Sequence, residues 1–241
     1  MQICATLDGR IMKENHSAFL KGIGEFIPSD RIYTDELRCF AWGTDAGFYR
    51  MTPQIVVRAK DEAEVSRLLR TASLHGVPVT FRAAGTSLSG QAISDSVLIV
   101  AGKHWEKWSV SEDAGSITLQ PGIIGSKVND FLKPYGRKFG PDPASIKSCM
   151  VGGIVMNNAS GMSCGTHANS DRTLLAARIV FADGSVLDTD DENSRREFSK
   201  THPEFIGRIE ALRDEVMADK ELVERIRHKY SIKNVTGLNI L

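Results

Sequence analysis

An α+β fold follows from three features of the sequence. Residues 53–81 read as strand, helix, strand; residues 177–188 read as a hairpin; and from residue 189 onward charge and helical periodicity take over. The expected architecture is a small β-α-β subdomain followed by a larger mixed sheet with helices.

Residues 1–32 carry weak patterning. Phe19, Leu20, Ile23, Phe26 and Ile27 fall on a loose helical period between Glu14 and Pro28. Ser29-Asp30 and Thr34-Asp35-Glu36 are helix-start material. Residues 1–47 are therefore expected to form a lead segment packed on the surface of a domain at 48–241.

Residues 53–59 (PQIVVRA) predict a strand. Asp61 then caps a helix, with Glu64 three residues on in a box-like arrangement. Val65, Leu68, Leu69 and Ala72 recur at i, i+3, i+4 and i+7, a stripe that one helix face can bury. Gly76 stands where a left-handed C-terminal cap is expected. Strand 77–81 follows, parallel to the first in the expected unit, and 97–100 (VLIV) reads as another buried strand. Residues 117–120 alternate and stop at Pro121-Gly122. Ser126 is placed to cap a helix bearing Val128, Phe131 and Leu132, which Pro134 and Gly136 end.

In the second half, a helix or turn is expected at the Gly152-Gly153 pair. Residues 177–181 and 185–188 flank Ala182-Asp183-Gly184, a hairpin pattern. Three charged helices are then expected, at 192–200, 204–217 and 220–229, with Phe205, Ile209, Leu212 and Val216 on one apolar face.

Composition narrows the class. The chain has 241 residues, 41% hydrophobic and 25% charged, as in ordinary globular proteins. Lys+Arg and Asp+Glu are 30 each, which argues against a nucleic-acid binder with its basic footprint. No apolar run is long enough for a transmembrane helix, and the Met1-Gln2-Ile3-Cys4 start lacks a basic-then-apolar leader. The expected location is cytoplasmic, with peripheral association at the inner membrane left open. Cys4, Cys39, Cys149 and Cys164 are not clustered, so reduced thiols are expected and no metal site is assigned.

The chain is organised around residues 82–91, Arg82-Ala83-Ala84-Gly85-Thr86-Ser87-Leu88-Ser89-Gly90-Gln91, directly after a strand. Glycines that allow φ > 0 let successive backbone N–H groups face an anion, and the hydroxyls at 86, 87 and 89 add donors. The spacing from Gly85 to Gly90 is that of a P-loop, but Gln91-Ala92 stand where Lys and Ser/Thr are required. Gly22-Ile23-Gly24 follows no strand, so a Rossmann site is not supported. A second small-residue stretch runs from Gly152 to Thr166, preceded by Gly140-Pro141-Asp142-Pro143.

Together with Tyr33-Thr34-Asp35 and the run from Gly43 to Arg50, these stretches resemble the PCMH-type FAD-binding domain of the vanillyl-alcohol oxidase superfamily. The chain is most similar to the FAD-linked 2-hydroxyacid dehydrogenases of the D-lactate dehydrogenase and glycolate oxidase type, especially the bacterial forms fused to an iron–sulfur domain. The resemblance covers roughly residues 33–241.

It implies a site and a chemistry. Residues Ala83, Ala84, Gly85, Thr86 and Ser87, with Arg82, Ser89, Gly90 and Gln91 beside them, would hold the FAD pyrophosphate. Pro141, Asp142, Pro143 and Ser148 would flank the flavin and ribityl chain. Gly152, Gly153, Asn157, Asn158, Ser160, Gly161 and Gly165 match the second FAD-contacting segment, and the Ile179 backbone would meet the adenine. FAD would lie between the two subdomains. Arg82 reads equally as a phosphate partner or as part of a structural ion pair. Residues 82–91 contain no His or Cys, so FAD is expected to be non-covalent. His167 is left as either a flavin neighbour or a surface residue.

The implied function is oxidation of a small D-2-hydroxy acid to the 2-keto acid by hydride transfer to FAD. The base and the carboxylate-binding cations would come mainly from a C-terminal substrate domain, with electrons passing to an iron–sulfur domain or a membrane carrier. Two alternatives stay open: an FAD-dependent alcohol or sugar oxidase, and a non-catalytic nucleotide-binding subunit. The chain is expected to stop inside its own FAD domain, after 229–241, and alone to bind FAD weakly or not at all and lack dehydrogenase activity.

Overall fold

The apolar runs at 55–58 and 97–100 become the centre of a four-stranded sheet. The computed structural model describes residues 6–7, 10–234 and 240; Cys4, and residues 235–239 and 241 of the terminal stretch, lie outside the described residues. The chain forms two units. The first comprises the described residues up to Phe139, with Ala144–Asn157 and Val180–Ser185. The second comprises Gly140–Pro143, Asn158–Ile179 and the described residues from Val186 on.

The first unit opens with a small antiparallel ladder, β1 (Thr6–Leu7) on β2 (Arg10–Ile11). Then come α1 (Glu14–Ile23), β3 (Ile32–Tyr33), α2 (Glu36–Ala41), β4 (Ile55–Arg58), α3 (Glu62–His75), β5 (Val79–Arg82) and β6 (Val97–Val100). The sheet order is β3-β4-β6-β5. β4, β6 and β5 run parallel and β3 is an antiparallel edge. The strand-helix-strand unit is thus present, but β4 and β5 are not neighbours: β6 lies between them. All four β6 residues are buried, as a central strand with both faces covered requires.

Side-chain alternation divides the core. Ile55, Val57, Val97 and Ile99 point to one face, where they meet Phe19, Ile23 and Ile27 and the α3 stripe Val65, Leu68, Leu69 and Ala72. Val56, Leu98 and Val100 point to the other, against Cys39, Tyr33 and Trp42. The lead segment packs its α1 against this face: Phe19 and Ile23 are 0% exposed, where the α3 stripe needs a partner.

The predicted caps hold in part. Asp61 accepts the Glu64 N–H at 2.9 Å and Gly76 ends α3 at φ 60°. The Glu64 carboxylate, however, reaches back to the Lys60 N–H (2.9 Å) and grips Arg31 through both oxygens at 2.6 and 2.7 Å. Burial pushes its pKa up, but the Arg31 fork and the Lys60 N–H outweigh that and hold it below the usual carboxylate range.

A second core joins the hairpin β7 (Trp108–Val110) and β8 (Ile117–Leu119) to α4 (Gly125–Leu132) and α5 (Val151–Met156) through Ile123, Val128, Leu132 and Val151. Ser126 is not the α4 cap. The N-cap is Ile124 and makes no side-chain bond, while the Ser126 N–H donates to Ile146 O at 2.8 Å.

The second unit holds α6 (Ser170–Thr173), part of the predicted hairpin β9 (Arg178–Val180) and β10 (Val186–Asp188), and the helices α7 (Glu192–Thr201), α8 (Pro203–Ala218) and α9 (Lys220–Tyr230). Phe198, Val216 and Val223 are buried there, whereas Phe205, Ile209 and Leu212 of the predicted apolar face are exposed. Cys39, Cys149 and Cys164 are buried, and among the described residues none is joined to another in a disulfide. Among the described residues no helix is long and apolar enough to cross a membrane.

His16, buried at 2% exposure, went unassigned in sequence. Its Nδ1 lies 2.9 Å from Asn15 Oδ1 and its Nε2 lies 2.7 Å from Ser96 Oγ, whose own hydrogen goes to Pro78 O at 2.7 Å. Burial first, and then Lys13, push its pKa down against the opposing pull of Asp95. A folded pKa below the unfolded value means the unfolded chain takes up the proton first. His16 stabilisation is therefore full above about pH 6.5 and is lost as pH falls through the folded pKa. Urea midpoints should decline from pH 7 to pH 5, and His16→Gln should flatten that decline. An unchanged slope in the variant would remove His16 as its source.

Candidate functional site

β5 ends at Arg82 and the chain enters the small-residue loop. Gly85 and Gly90 take φ 72° and 77°, conformations that β-carbon-bearing residues adopt at a cost. Among the described residues, the N–H groups of Ala84, Gly85, Thr86 and Ser87 make no hydrogen bond within the chain. The loop is held from its other side. The Ala46 N–H donates to Gly85 O and Ser87 O, both at 3.1 Å. Asp45 accepts the N–H of Gly47 at 2.8 Å and of Gly90 at 3.0 Å. Because C=O and N–H point oppositely across a trans peptide, tying Gly85 O to Ala46 turns the Thr86 N–H outward. The Ser87 hydroxyl donates to Gln91 Oε1 and accepts the Ser89 N–H at 3.2 Å, so these side chains brace the loop.

Arg82 turns under the loop. Its Nη1 donates to Thr44 O at 2.6 Å and Ala92 O at 3.2 Å, with Trp42 O at 3.5 Å. These partners are backbone carbonyls, where the structural reading expects a carboxylate. Burial pushes the guanidinium pKa down, against the attraction of Asp45.

α5 places the second glycine-rich stretch beside this loop. The Gly152 N–H donates to Pro121 O at 2.9 Å, and a methyl on Gly152 would come within 2.7 Å of Pro121 Cβ. Gly153 faces open space: a methyl there would meet only Ala83 Cβ, at 3.8 Å. Asn157 ends α5, its N–H on Gly153 O at 3.0 Å, and Ser148 sits in the preceding turn with its N–H on Ser145 O at 2.8 Å. In the first unit, then, Arg82 to Gln91, Ser148, Gly152, Gly153 and Asn157 lie on one loop and the segment leading through α5.

The other predicted residues lie in the second unit. Ser163 Oγ donates to Asp142 Oδ2 at 2.8 Å, and a methyl on Gly161 would lie 1.7 Å from Asp142 O, so these backbones pack in direct contact. Cys164 Sγ accepts the Gly161 N–H at 2.9 Å, and the Lys233 ammonium donates to Gly161 O. Asn158, at φ 42°, accepts the Asp171 N–H at 3.0 Å. Pro141 is buried, while Pro143, Ser160 and Gly165 are half-buried along the same segments. Ile179 lies on β9, 39% exposed, and His167 is exposed.

Sequence reasoning did not assign Asp45 and Ala46 a role in the site, although both lie in the 43–50 run it singled out. An Asp one residue ahead of an Ala-Gly pair is a local cue for a carboxylate that accepts nearby backbone N–H groups.

The first unit thus presents a row of unpaired backbone donors beside an open glycine face, a cradle for a phosphate-bearing ligand that uses no lysine. A family profile described as FAD binding domain matches residues 53–190, more than half of the chain, and the chain belongs to that family. FAD is the family's cofactor, and the free donors at 84–87 and the open face at Gly153 fit such a group.

The chain is 25% identical over 227 residues to D-2-hydroxyglutarate dehydrogenase of Haemophilus influenzae, covering 84% of this chain and 21% of that protein. It is 29% identical over 185 residues to glycolate oxidase subunit GlcD of Escherichia coli, covering 75% of this chain and 37% of that protein. The chain therefore spans only about a fifth to just over a third of these relatives. Among solved structures, 4-ethylphenol oxidase from Gulosibacter chungangensis superposes with TM-score 0.61 at 20% identity, over 76% of this chain and 36% of that one. Alkyldihydroxyacetonephosphate synthase superposes with TM-score 0.63 at 17% identity, over 79% and 37%. These two likenesses establish the shared fold.

Proposed function

We propose that this chain is the FAD-binding part of a dehydrogenase that oxidises a small D-2-hydroxy acid, of lactate, glycolate or 2-hydroxyglutarate type, to the 2-keto acid. The observation that carries the cofactor assignment is the row of unpaired N–H groups at 84–87 inside the family-matched stretch. The relatives' names, D-2-hydroxyglutarate dehydrogenase and glycolate oxidase subunit, support the substrate class.

In this reading the N–H groups of Ala84, Gly85, Thr86 and Ser87 replace the hydration of the pyrophosphate oxygens with fixed donors. Gly153 leaves room for close backbone approach. Asp142, Pro143 and Ser148 flank the ribityl and flavin portions, Asn158, Ser160 and Gly161 belong to the second FAD-contacting segment, and the Ile179 backbone meets the adenine. The chemistry FAD supplies when bound is acceptance of a hydride from the carbinol carbon. The base for the hydroxyl proton and the cations for the substrate carboxylate belong to a substrate domain, and electrons pass onward to an iron–sulfur centre or a membrane carrier.

With no His or Cys in residues 82–91, attachment is non-covalent. Acid precipitation of the FAD-loaded protein should release FAD into the supernatant. Flavin in the pellet would overturn non-covalent attachment, and FMN in the supernatant would overturn FAD. The substrate class is tested by anaerobic mixing of the longer protein with a panel of D-2-hydroxy acids. Flavin bleaching is expected with at least one member, and bleaching only by sugars or phenols would refute the 2-hydroxy acid assignment.

A further inference from the structure

We propose that Arg82 is a positioning residue for the cofactor's pyrophosphate: its guanidinium holds the loop from beneath so that the N–H groups at 84–87 face outward, without itself touching the phosphate. The inference rests on the FAD reading above.

Three segments converge on this one side chain. Nη1 bonds the carbonyls of Thr44 and Ala92 at 2.6 and 3.2 Å, tying the start of the 43–50 run to the end of the loop. Gly85 lies against the guanidinium so closely that a methyl there would come within 2.3 Å of Nη2. The guanidinium carbon also sits 5.2 Å from the centre of the Trp42 ring. Through these contacts Arg82 sets the place of Gly85, whose carbonyl takes the Ala46 N–H and thereby turns the Thr86 N–H away.

The arrangement has a cost. Arg82 Nε is the buried side-chain polar atom among the described residues that has no hydrogen-bond partner. A buried donor left unpaired costs about 1–3 kcal/mol. The guanidinium also has carbonyls as its hydrogen-bond partners, where a buried cation ordinarily has a carboxylate. A methionine or leucine would fill the same space without these costs, and neither would bridge Thr44, Gly85 and Ala92. The orientation also argues against direct contact: Nη1 is committed to carbonyls and Nη2 is packed beneath Gly85.

The test compares the parent, Arg82→Met and Arg82→Lys forms of the whole proposed dehydrogenase, stripped of cofactor, by titration with FAD and with riboflavin, which lacks the pyrophosphate. It also compares amide hydrogen exchange in the cofactor-free proteins. Arg82→Met should bind FAD about 100-fold more weakly and Arg82→Lys at least about tenfold more weakly, because one ammonium lacks the planar fork of donors. Riboflavin affinity should be the same in all three. The Ala46 and Gly90 amides, which are bonded across the loop, should exchange at least about tenfold faster in Arg82→Met, while those of Val56 and Leu98 stay unchanged. Full FAD affinity in Arg82→Lys, or lost affinity with unchanged exchange at Ala46 and Gly90, would mean direct charge contact and overturn the proposal. Parallel loss of riboflavin binding, or faster exchange at Val56 and Leu98, would reduce Arg82 to general stability. If the parent itself failed to bind FAD, the cofactor reading would fall, and unchanged exchange at Ala46 and Gly90 would separately overturn the positioning role.

Discussion

Gly153→Val should weaken FAD binding by at least about 100-fold, or roughly 2.7 kcal/mol, while leaving the protein as stable as the parent. Gly153 is exposed on α5, and a Cβ there meets only Ala83, so valine fits the folded chain without collision. In a helix, Gly is moreover the poorer residue, by a few tenths of a kcal/mol. What valine fills is the open space beside the 82–91 loop, where the cofactor's backbone contacts are assigned. Gly85→Val should also lose FAD, by a different route. Its φ of 72° adds strain of about 1–3 kcal/mol for a β-branched residue. Its side chain would also strike the Arg82 guanidinium. Titration with FAD alongside urea unfolding separates the two: Gly153→Val loses affinity alone, and Gly85→Val loses affinity and stability together. Stoichiometric FAD in Gly153→Val, under conditions where the parent is saturated, would show that the α5 face is not part of the site.

The second large effect concerns the fold. Glu64→Ala should lower stability by about 3 kcal/mol, because it strands a nearly buried arginine. The Arg31 and Glu64 side chains are only 12% and 10% exposed, too little for water to replace the lost carboxylate. The Lys60 N–H loses its acceptor as well, and Arg31 keeps its bond to Arg58 O, at 3.0 Å. Glu64→Gln, which retains an acceptor for Lys60 and one bond to Arg31, should fall between the two. Urea denaturation at pH 7 measures both variants. A loss below about 1 kcal/mol for the alanine variant would place the pair among surface ion pairs that contribute little.

Much of the local structure was legible in the sequence because it is set by contacts a few residues apart. The α3 stripe, the Asp61 cap and the Gly76 terminator all act within one or two helical turns, and each appears in the structure. The hairpin around Ala182-Asp183-Gly184 closes through Phe181 and Ser185 as its turn residues predict. The loop at 82–91 stood out because small residues with glycines after a strand permit close backbone approach to a ligand, a reading the second glycine-rich stretch and the family motifs reinforced. Other readings failed where a residue had a stronger distant partner. Ser126 gives up its capping position as its N–H goes to Ile146, and Glu64 reaches Lys60 and Arg31.

By itself, then, the sequence determined the α+β class, the β4–α3–β5 unit, β6, β8, α4, the β9–β10 hairpin and the helices α7 to α9, the two glycine-rich stretches and, through its motifs, the FAD family. Only the tertiary structure decided that β6 separates β4 from β5, that α1 supplies the core, that Asp45 and Ala46 clamp the loop, and that Arg82 faces inward. Strand order and core partners depend on residues far apart in the chain, and local periodicity carries no record of which apolar face meets which. The direction of Arg82 depends on where the carbonyls of Thr44 and Ala92 come to rest, and they converge only once β5, the loop and the 43–50 run are packed together.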